Sequence, residues 1–312
     1  MERAAAGKVG RRSVREHRLR VFLTGATGFI GTAVAAELIA HGHTVLGVAR
    51  SDEAAKTLAA SGIEPHRGDL TDHASFIAGA AACDGVIHCA FIHDFSKFME
   101  NIEIEKATVT AMLAALEGSG KPLVTTSGIA MLAPGQTATE AHDAARQGRG
   151  ETEGMVRDAA GRGLRTAVIR LPPITHQDGD GGFLGPLVAT AKEKGKACYI
   201  GDGASRWPAG NRADAAVLYR LALERGEPGA AYHAVGDEAV PARDIAAAIG
   251  QRLNLPVDSV APEAAVAHFG WLGMFAGVDM PATSRITQEK LGWRPTHTGL
   301  IEDIATGTRL GG

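Results

Sequence analysis

The sequence predicts an α/β protein built on a doubly wound parallel sheet with a smaller C-terminal lobe, and three observations carry that prediction. From residue 19 onward, short β-branched runs alternate with Ala-rich helical patterns, the alternation that builds βαβ units and covers a sheet on both faces. The first such strand runs into its helix through three glycines, Gly25, Gly28 and Gly31. After Leu171 the texture changes to Pro172-Pro173 and then Asp178-Gly-Asp-Gly-Gly182, a loop-rich exit from the sheet where a second lobe begins.

Buried strands are expected at residues 19–24, 44–49, 85–89, 123–126 and 165–171, each short, apolar and bounded by Gly, Pro or charge. The first helix spans 29–40 and ends at His41-Gly42, where Gly supplies a left-handed cap. A long helix spans 95–116, before Gly118. In the second half, 187–194 and 214–223 read as helices, 230–235 as a late strand and 241–253 as a helix with Pro in its first turn. The resulting plan is a disordered basic extension over 1–18, a dinucleotide-binding domain over 19–171 to which 207–235 returns, and a substrate-binding lobe over 172–206 and 236–312.

Composition narrows the class. The 312 residues are 45% hydrophobic and 21% charged, as in soluble globular proteins, and a chain of this size buries about three quarters of its unfolded surface. The three cysteines, Cys83, Cys89 and Cys198, have neither a metal-binding nor a disulfide-framework spacing, so they read as packing thiols in a reducing compartment. No run reaches the roughly 18 apolar residues of a membrane span, and no apolar segment follows the N-terminal charges, so the expectation is a cytoplasmic protein with no membrane partner. Seven Lys or Arg and two Glu crowd the first 20 residues. They lie in a Gly/Ala/Arg tail without interleaved aromatics, which argues against nucleic acid as a partner. That tail reads as a disordered extension or an overlong start, with a transit signal as the weaker alternative.

The glycine turn carries the sharpest chemical signal. Gly25 permits a tight turn, Gly28 lets backbone approach a diphosphate with no Cβ in the way, and Gly31 lets helix pack on strand. With Thr27, Phe29 and Ile30 these residues form a loop and first helical turn whose free N–H groups face a ligand's negative charge. At the end of the second strand a carboxylate would bind the ribose hydroxyls of NAD, whereas a cation would accept the extra phosphate of NADP. Arg50 and Ser51 stand there, so NADP is the expected cofactor; Asp52 and Glu53 keep NAD as the alternative. Asp69, followed by Leu70, is placed to contact the adenine or else to cap the next helix.

Thr24 to Gly31, Gly68-Asp69-Leu70, His88-Cys89-Ala90, Arg170-Leu-Pro-Pro and Asn211-Arg-Ala-Asp214 together resemble an extended short-chain dehydrogenase/reductase. The terminal Leu291-Gly-Trp-Arg-Pro295 resembles the C-terminal element of the NAD(P)-dependent epimerase/dehydratase group, and the likeness runs from about residue 19 to the end. It implies a Rossmann domain holding a nicotinamide cofactor, with Ala90 and Pro172 lining it, and a small-molecule carbonyl or hydroxyl substrate. It also implies a homodimer through the helices at 95–116 and 150–161.

The resemblance further implies a Tyr and a Lys four residues apart on one helix, a Ser at the end of the fifth strand and an Asn in the long helix. Here Arg149 stands in place of the Tyr and Glu153 in place of the Lys, while Tyr199, Tyr219 and Tyr232 all lie downstream. Arginine stays protonated and cannot pass on a proton. It can stabilise an oxyanion or bind an anionic substrate, or it can form a surface ion pair with Glu153 one turn away. Ser127 falls at the strand end, although a shift of one residue would put Gly128 there. Glu105 takes the Asn position, either as a proton relay or as a solvated helix charge. His176 is the favoured alternative proton carrier, with His88, His93 and Asp94 nearby in the plan; no metal-ligand spacing is present. The aromatics from His268 to Phe275 suit a substrate pocket or simply the core of the lobe.

The reading that follows is an NADP-dependent oxidoreductase of the atypical extended short-chain type, transferring hydride to or from a small carbonyl or hydroxyl compound with a non-Tyr proton donor. The alternatives are a non-catalytic NADP-sensing regulator resembling the NmrA-like proteins and a sugar-nucleotide epimerase or dehydratase.

Overall fold

In a computed structural model of the chain, residues 18–92 and 97–310 are described. The first half alternates strands and helices: β1 (Arg20–Thr24), α1 (Phe29–Ala40), β2 (Thr44–Ala49), α2 (Asp52–Ala60), β3 (Glu64–Arg67), α3 (His73–Ala81), β4 (Gly85–His88), α4 (Phe98–Leu116), β5 (Pro122–Gly128), α5 (Arg149–Asp158) and β6 (Arg165–Leu171). With β10 (Ala230–His233) they form a seven-stranded parallel sheet ordered β3-β2-β1-β4-β5-β6-β10. Strand order reverses between β1 and β4, which opens a crevice at the strands' C-terminal ends. Side chains alternate across the pleat: Val21 and Leu23 join the core under α1, while Phe22 joins the core under α3 and α4. Cys83, Cys89 and Cys198 are free thiols, and among the described residues no helix is long and apolar enough to cross a membrane.

The second lobe holds β7 (Ile174–His176), α6 (Leu184–Lys194), β8 (Ala197–Ile200), β9 (Arg206–Asn211), β11 (Asp237–Pro241), α8 (Ala242–Leu253) and β12 (Val257–Val260). After α9 (Ala265–Phe269) and α10 (Gly273–Ala276) come α11 (Arg285–Leu291) and α12 (Leu300–Thr306). Between β9 and β10, α7 (Arg212–Arg225) returns the chain to the main sheet.

Here the expected boundary is corrected. The strand at 206–211 does not return to the main sheet; it pairs in parallel with β7 and antiparallel with β11 in a separate three-stranded sheet. The return starts with α7, two residues earlier than the expected helix, because the Asn211 side chain accepts from the Ala213 N–H at 2.9 Å and caps it. Conversely, the tail of the lobe reaches back. Trp293 is buried and donates Nε1–H to the Asp214 carbonyl at 2.9 Å, while the Asp214 carboxylate accepts from the N–H groups of Thr296 (3.0 Å) and His297 (3.1 Å). The Leu291 to Pro295 element is thus a staple on α7.

β5 runs on to Gly128, beyond the expected 126, because its ladder with β6 continues through Gly128↔Leu171. α6 starts at Leu184 and β10 stops at His233. The extension over 1–17, His93, Asp94 and the expected start of the long helix at 95 lie outside the described residues.

Candidate active site

The glycine turn has the shape a diphosphate needs. Gly25 has φ +71°, and a Cβ on it would lie 2.9 Å from the Ala90 nitrogen; one on Gly31 would lie 2.0 Å from the Gly25 carbonyl oxygen. Both are therefore required for β1, α1 and β4 to meet. Gly28 differs: its N–H donates to the Gly25 carbonyl at 2.8 Å, and its Cβ would meet only that carbonyl, at 3.2 Å, with open space beyond. Gly28 is also the N-cap of α1 and brings no side-chain cap, so the first-turn N–H groups at Phe29 and Ile30 are left for a ligand beside exposed Thr27. A cradle that a single Cβ would fill fits a dinucleotide.

Neighbouring strand ends complete the cradle. Thr24 Oγ1 accepts from the Ala90 N–H at 3.2 Å and pairs with His88 Nδ1 at 2.8 Å, tying β1 to β4. Arg50 is exposed at the end of β2, and Ser51 caps α2 by accepting from the Ala54 N–H at 3.1 Å. Arg67, which no motif marks, lies opposite Ala49 in the β2–β3 register and holds Asp52 at 3.3 Å. Asp69 is not a helix cap. Its carboxylate accepts from the Thr71 N–H (3.0 Å) and hydroxyl (2.8 Å), which holds its pKa below the usual range, and Asp72 caps α3 instead. Buried Leu70 offers its carbonyl to the Thr108 hydroxyl at 2.8 Å, and buried Pro172 offers its own to Thr175 at 3.1 Å.

At the altered tetrad, the alternative of an Arg149–Glu153 surface pair gives way to two longer-range pairs. Arg149, in the first turn of α5, forks onto Glu105 of α4 with Nε at 3.1 Å and Nη2 at 2.7 Å; it also donates to the Thr126 carbonyl at 3.0 Å and lies 4.3 Å over the Phe91 ring. Glu105 is 3% exposed, so it is a buried counter-ion and not a solvated helix charge. Glu153 turns instead to Arg170 of β6, at 3.0 Å from Nε and 2.5 Å from Nη2. Arg170 is 0% exposed and also donates to the His142 carbonyl at 2.8 Å and to His233 Nε2 at 3.2 Å. His233 in turn donates Nδ1–H to the Thr283 carbonyl at 2.8 Å, the arrangement of a neutral imidazole. This sealed network removes Glu153 from the set of reacting groups.

His176 is likewise corrected. It is 0% exposed, with Nδ1 2.9 Å from Asp303, whose carboxylate also accepts from the N–H groups of Asp178 and Gly179, each at 3.0 Å. The side chain anchors a loop inside the lobe and faces no cleft. His88 is fully buried, and burial followed by the nearby Arg149 charge pushes its pKa down to about 3, so it is neutral. Burial likewise raises Cys89 to about 12. Phe269 and Trp207 are buried in the lobe's core, and half-buried Phe183 packs against it, 5.3 Å from Trp271 and 5.8 Å from both Trp207 and Phe275.

Ser127 is the remaining predicted residue. Thr126, beside it in β5, donates its hydroxyl to the His88 carbonyl (2.8 Å) and accepts from the Tyr219 hydroxyl (2.6 Å) on the α7 side of the sheet. By alternation Ser127 faces the α5 side, where Arg149 is. Among the described residues its hydroxyl has no hydrogen-bond partner. Among the same residues no group of three or more His, Cys, Asp or Glu could hold a metal ion.

The two buried neutral histidines set an acid limit. His233, like His88, has its pKa pushed down to about 3 from 6.5, by burial first and then by Arg170. In both cases the unfolded state binds the proton more readily. Their stabilisation is complete above pH 6.5 and is lost as pH falls toward 3. Calorimetric scans should show Tm falling steadily as pH is lowered from about 6.5 to about 4; an unchanged Tm over that interval would refute the buried neutral assignment.

The chain belongs to the NAD-dependent epimerase/dehydratase family, whose model matches residues 21–149. It is 43% identical to an uncharacterized protein of Schizosaccharomyces pombe, covering 92% of this chain and 99% of that one. It is also 43% identical to an uncharacterized protein of Saccharomyces cerevisiae, over 92% and 98%. A 4-hydroxy-2-methyl-3-oxo-4-farnesyl-3,4-dihydroquinoline-1-oxide ketoreductase of Stigmatella aurantiaca is 29% identical over 69% of this chain and 67% of its own. Among solved structures, the UDP-glucose-4-epimerase of Stenotrophomonas maltophila with bound NAD shares the fold, with a TM-score of 0.74 at 18% identity over 94% of this chain and 98% of that one.

Proposed function

We propose that the chain is an NADP-dependent oxidoreductase that reduces a small, uncharged carbonyl compound, or oxidises the matching alcohol, with its substrate oxygen held between Ser127 and Arg149. The observation that carries this reading is the fixed guanidinium of Arg149 at the head of α5, on the face of β5 that Ser127 shares. The nicotinamide, when bound, supplies or accepts the hydride. Glu105, the Thr126 carbonyl and the Phe91 ring orient Arg149 before any substrate arrives and leave its Nη1 group uncommitted among the described residues. Such preorganised donors stabilise developing charge without reorganising in the transition state. Because Glu105 cancels the net charge, Arg149 offers N–H donors and little net attraction for a carboxylate, which suits a carbonyl oxygen and disfavours an anionic substrate. Arginine does not release its proton, so the proton that completes the alcohol reaches it from water through the Ser127 hydroxyl. Arg50 and Ser51 support NADP over NAD, as does the engagement of Asp52 by Arg67. The ketoreductase relative supports carbonyl reduction.

Mixing the protein with NADPH and a panel of ketones and aldehydes tests this through nicotinamide absorbance. Ser127→Ala is expected to lower kcat/KM by about 10²–10³ while leaving NADPH affinity unchanged; a variant as active as the parent would remove Ser127 from the site. The Glu105–Arg149 pair also favours a second reading, a cofactor sensor without chemistry, because it seals the position where a proton donor would act. Tight NADPH binding with no turnover across the panel would select that reading.

A further inference from the structure

The first residue of α7 meets the first residue of α1, the helix that the glycine turn opens. Arg212, the first residue of α7, reaches across the gap: Nη1 donates to the Phe29 carbonyl at 3.1 Å, and the guanidinium lies 4.6 Å over the Phe29 ring. Nε donates to the Gln177 side chain at 2.6 Å. This leaves the Nη2 group uncommitted among the described residues, and among them no carboxylate oxygen comes within 4.0 Å of the guanidinium. A half-buried cation without an ion-pair partner, fixed against the first turn of the phosphate-facing helix, is arranged to meet an anion.

The loop that Gln177 begins holds this arrangement rigid. Asp178, Gly179, Gly181 and Gly182 all have positive φ, and a Cβ on Gly181 would lie 2.5 Å from the Phe29 ring. The Asp303 carboxylate ties down the N–H groups of Asp178 and Gly179. The loop therefore lies directly on Phe29, and Arg212 is wedged where lobe and cofactor helix meet.

We propose that Arg212 binds the diphosphate of the dinucleotide beside the first turn of α1, adding a charged clamp to the backbone cradle. The proposal rests on the dinucleotide-binding reading given above. It predicts a signature that separates Arg212 from Arg50, since both nicotinamide dinucleotides carry the diphosphate and only NADP carries the 2′-phosphate.

Calorimetric titrations of the parent protein, Arg212→Gln, Arg212→Lys and Arg50→Ala with NADP, NAD and adenosine 2′-monophosphate read that signature. Arg212→Gln is expected to weaken NADP and NAD alike by about tenfold to a hundredfold and to bind adenosine 2′-monophosphate as the parent does. Arg212→Lys should recover part of the loss, because it keeps the charge without the fork. Arg50→Ala should weaken NADP and adenosine 2′-monophosphate but not NAD. Unchanged dinucleotide affinity in Arg212→Gln would overturn the proposal, as would an equal loss for adenosine 2′-monophosphate, which would mark a merely loosened loop. A parent protein that binds neither dinucleotide would overturn the underlying reading along with it.

Discussion

Glu153→Ala is expected to cost about 3–5 kcal/mol, because it leaves a fully buried guanidinium without its counter-ion. Arg170 has a side-chain exposure of 0% and Glu153 of 1%, so water cannot take over the lost interaction without opening the α5–β6 interface. The remaining partners of Arg170, the His142 carbonyl and neutral His233, carry no formal charge. A fall in Tm on the order of 10 °C follows, checked by denaturant titration and scanning calorimetry. Glu151→Ala, on the same helix, is the control: its pair with Lys106 is largely solvated, with side-chain exposures of 46% and 31%, and its loss should cost less than about 1 kcal/mol. Equal effects from the two variants would mean that Arg170 is not held as described.

Gly28→Val should have the opposite profile, a normal fold and no cofactor. Gly28 has φ −82° and ψ 172°, a backbone any residue adopts. Its added Cβ would press only on the Gly25 carbonyl, at 3.2 Å, and the rest of the side chain would fill the space over the first turn of α1. The same change at Gly31 would drive a Cβ to 2.0 Å from that carbonyl and would confound folding with binding. Gly28→Val is therefore expected to keep a Tm close to that of the parent and to lose at least about a hundredfold in dinucleotide affinity. Retained affinity would place the diphosphate elsewhere.

What the sequence made legible was local. The bounds of α1, 29–40, could be read directly because a glycine turn starts the helix and His41-Gly42 ends it. The missing Tyr-Lys pair was equally plain. The partners of the residues that replace it were not, because periodicity assigns a face to each side chain and says nothing about the element packed against that face. Arg149 and Glu153 sit at a spacing that favours a pair on one helix, yet each finds a stronger, buried partner, 44 residues back at Glu105 and 17 residues on at Arg170. His176 looked like a cleft residue until the fold brought Asp303, 127 residues away, against it. The return of the chain to the main sheet is expected from 207 yet begins only at α7, because residues 206–211 pair at long range with β7 and β11. Arg67 carries no motif that sets it apart, and Arg212 lies in the Asn211-Arg-Ala-Asp214 motif without a role that the motif states; the β2–β3 register and the meeting of α1 with α7 give them their partners.

Transfer of label from NADPH deuterated at the reactive nicotinamide carbon shows whether the protein moves hydride to a substrate. With a ketone the protein accepts, mass spectrometry is expected to find one deuterium on the carbinol carbon of the product. Saturating NADPH binding with no label leaving the nicotinamide, across neutral carbonyl substrates of varied size, would contradict it.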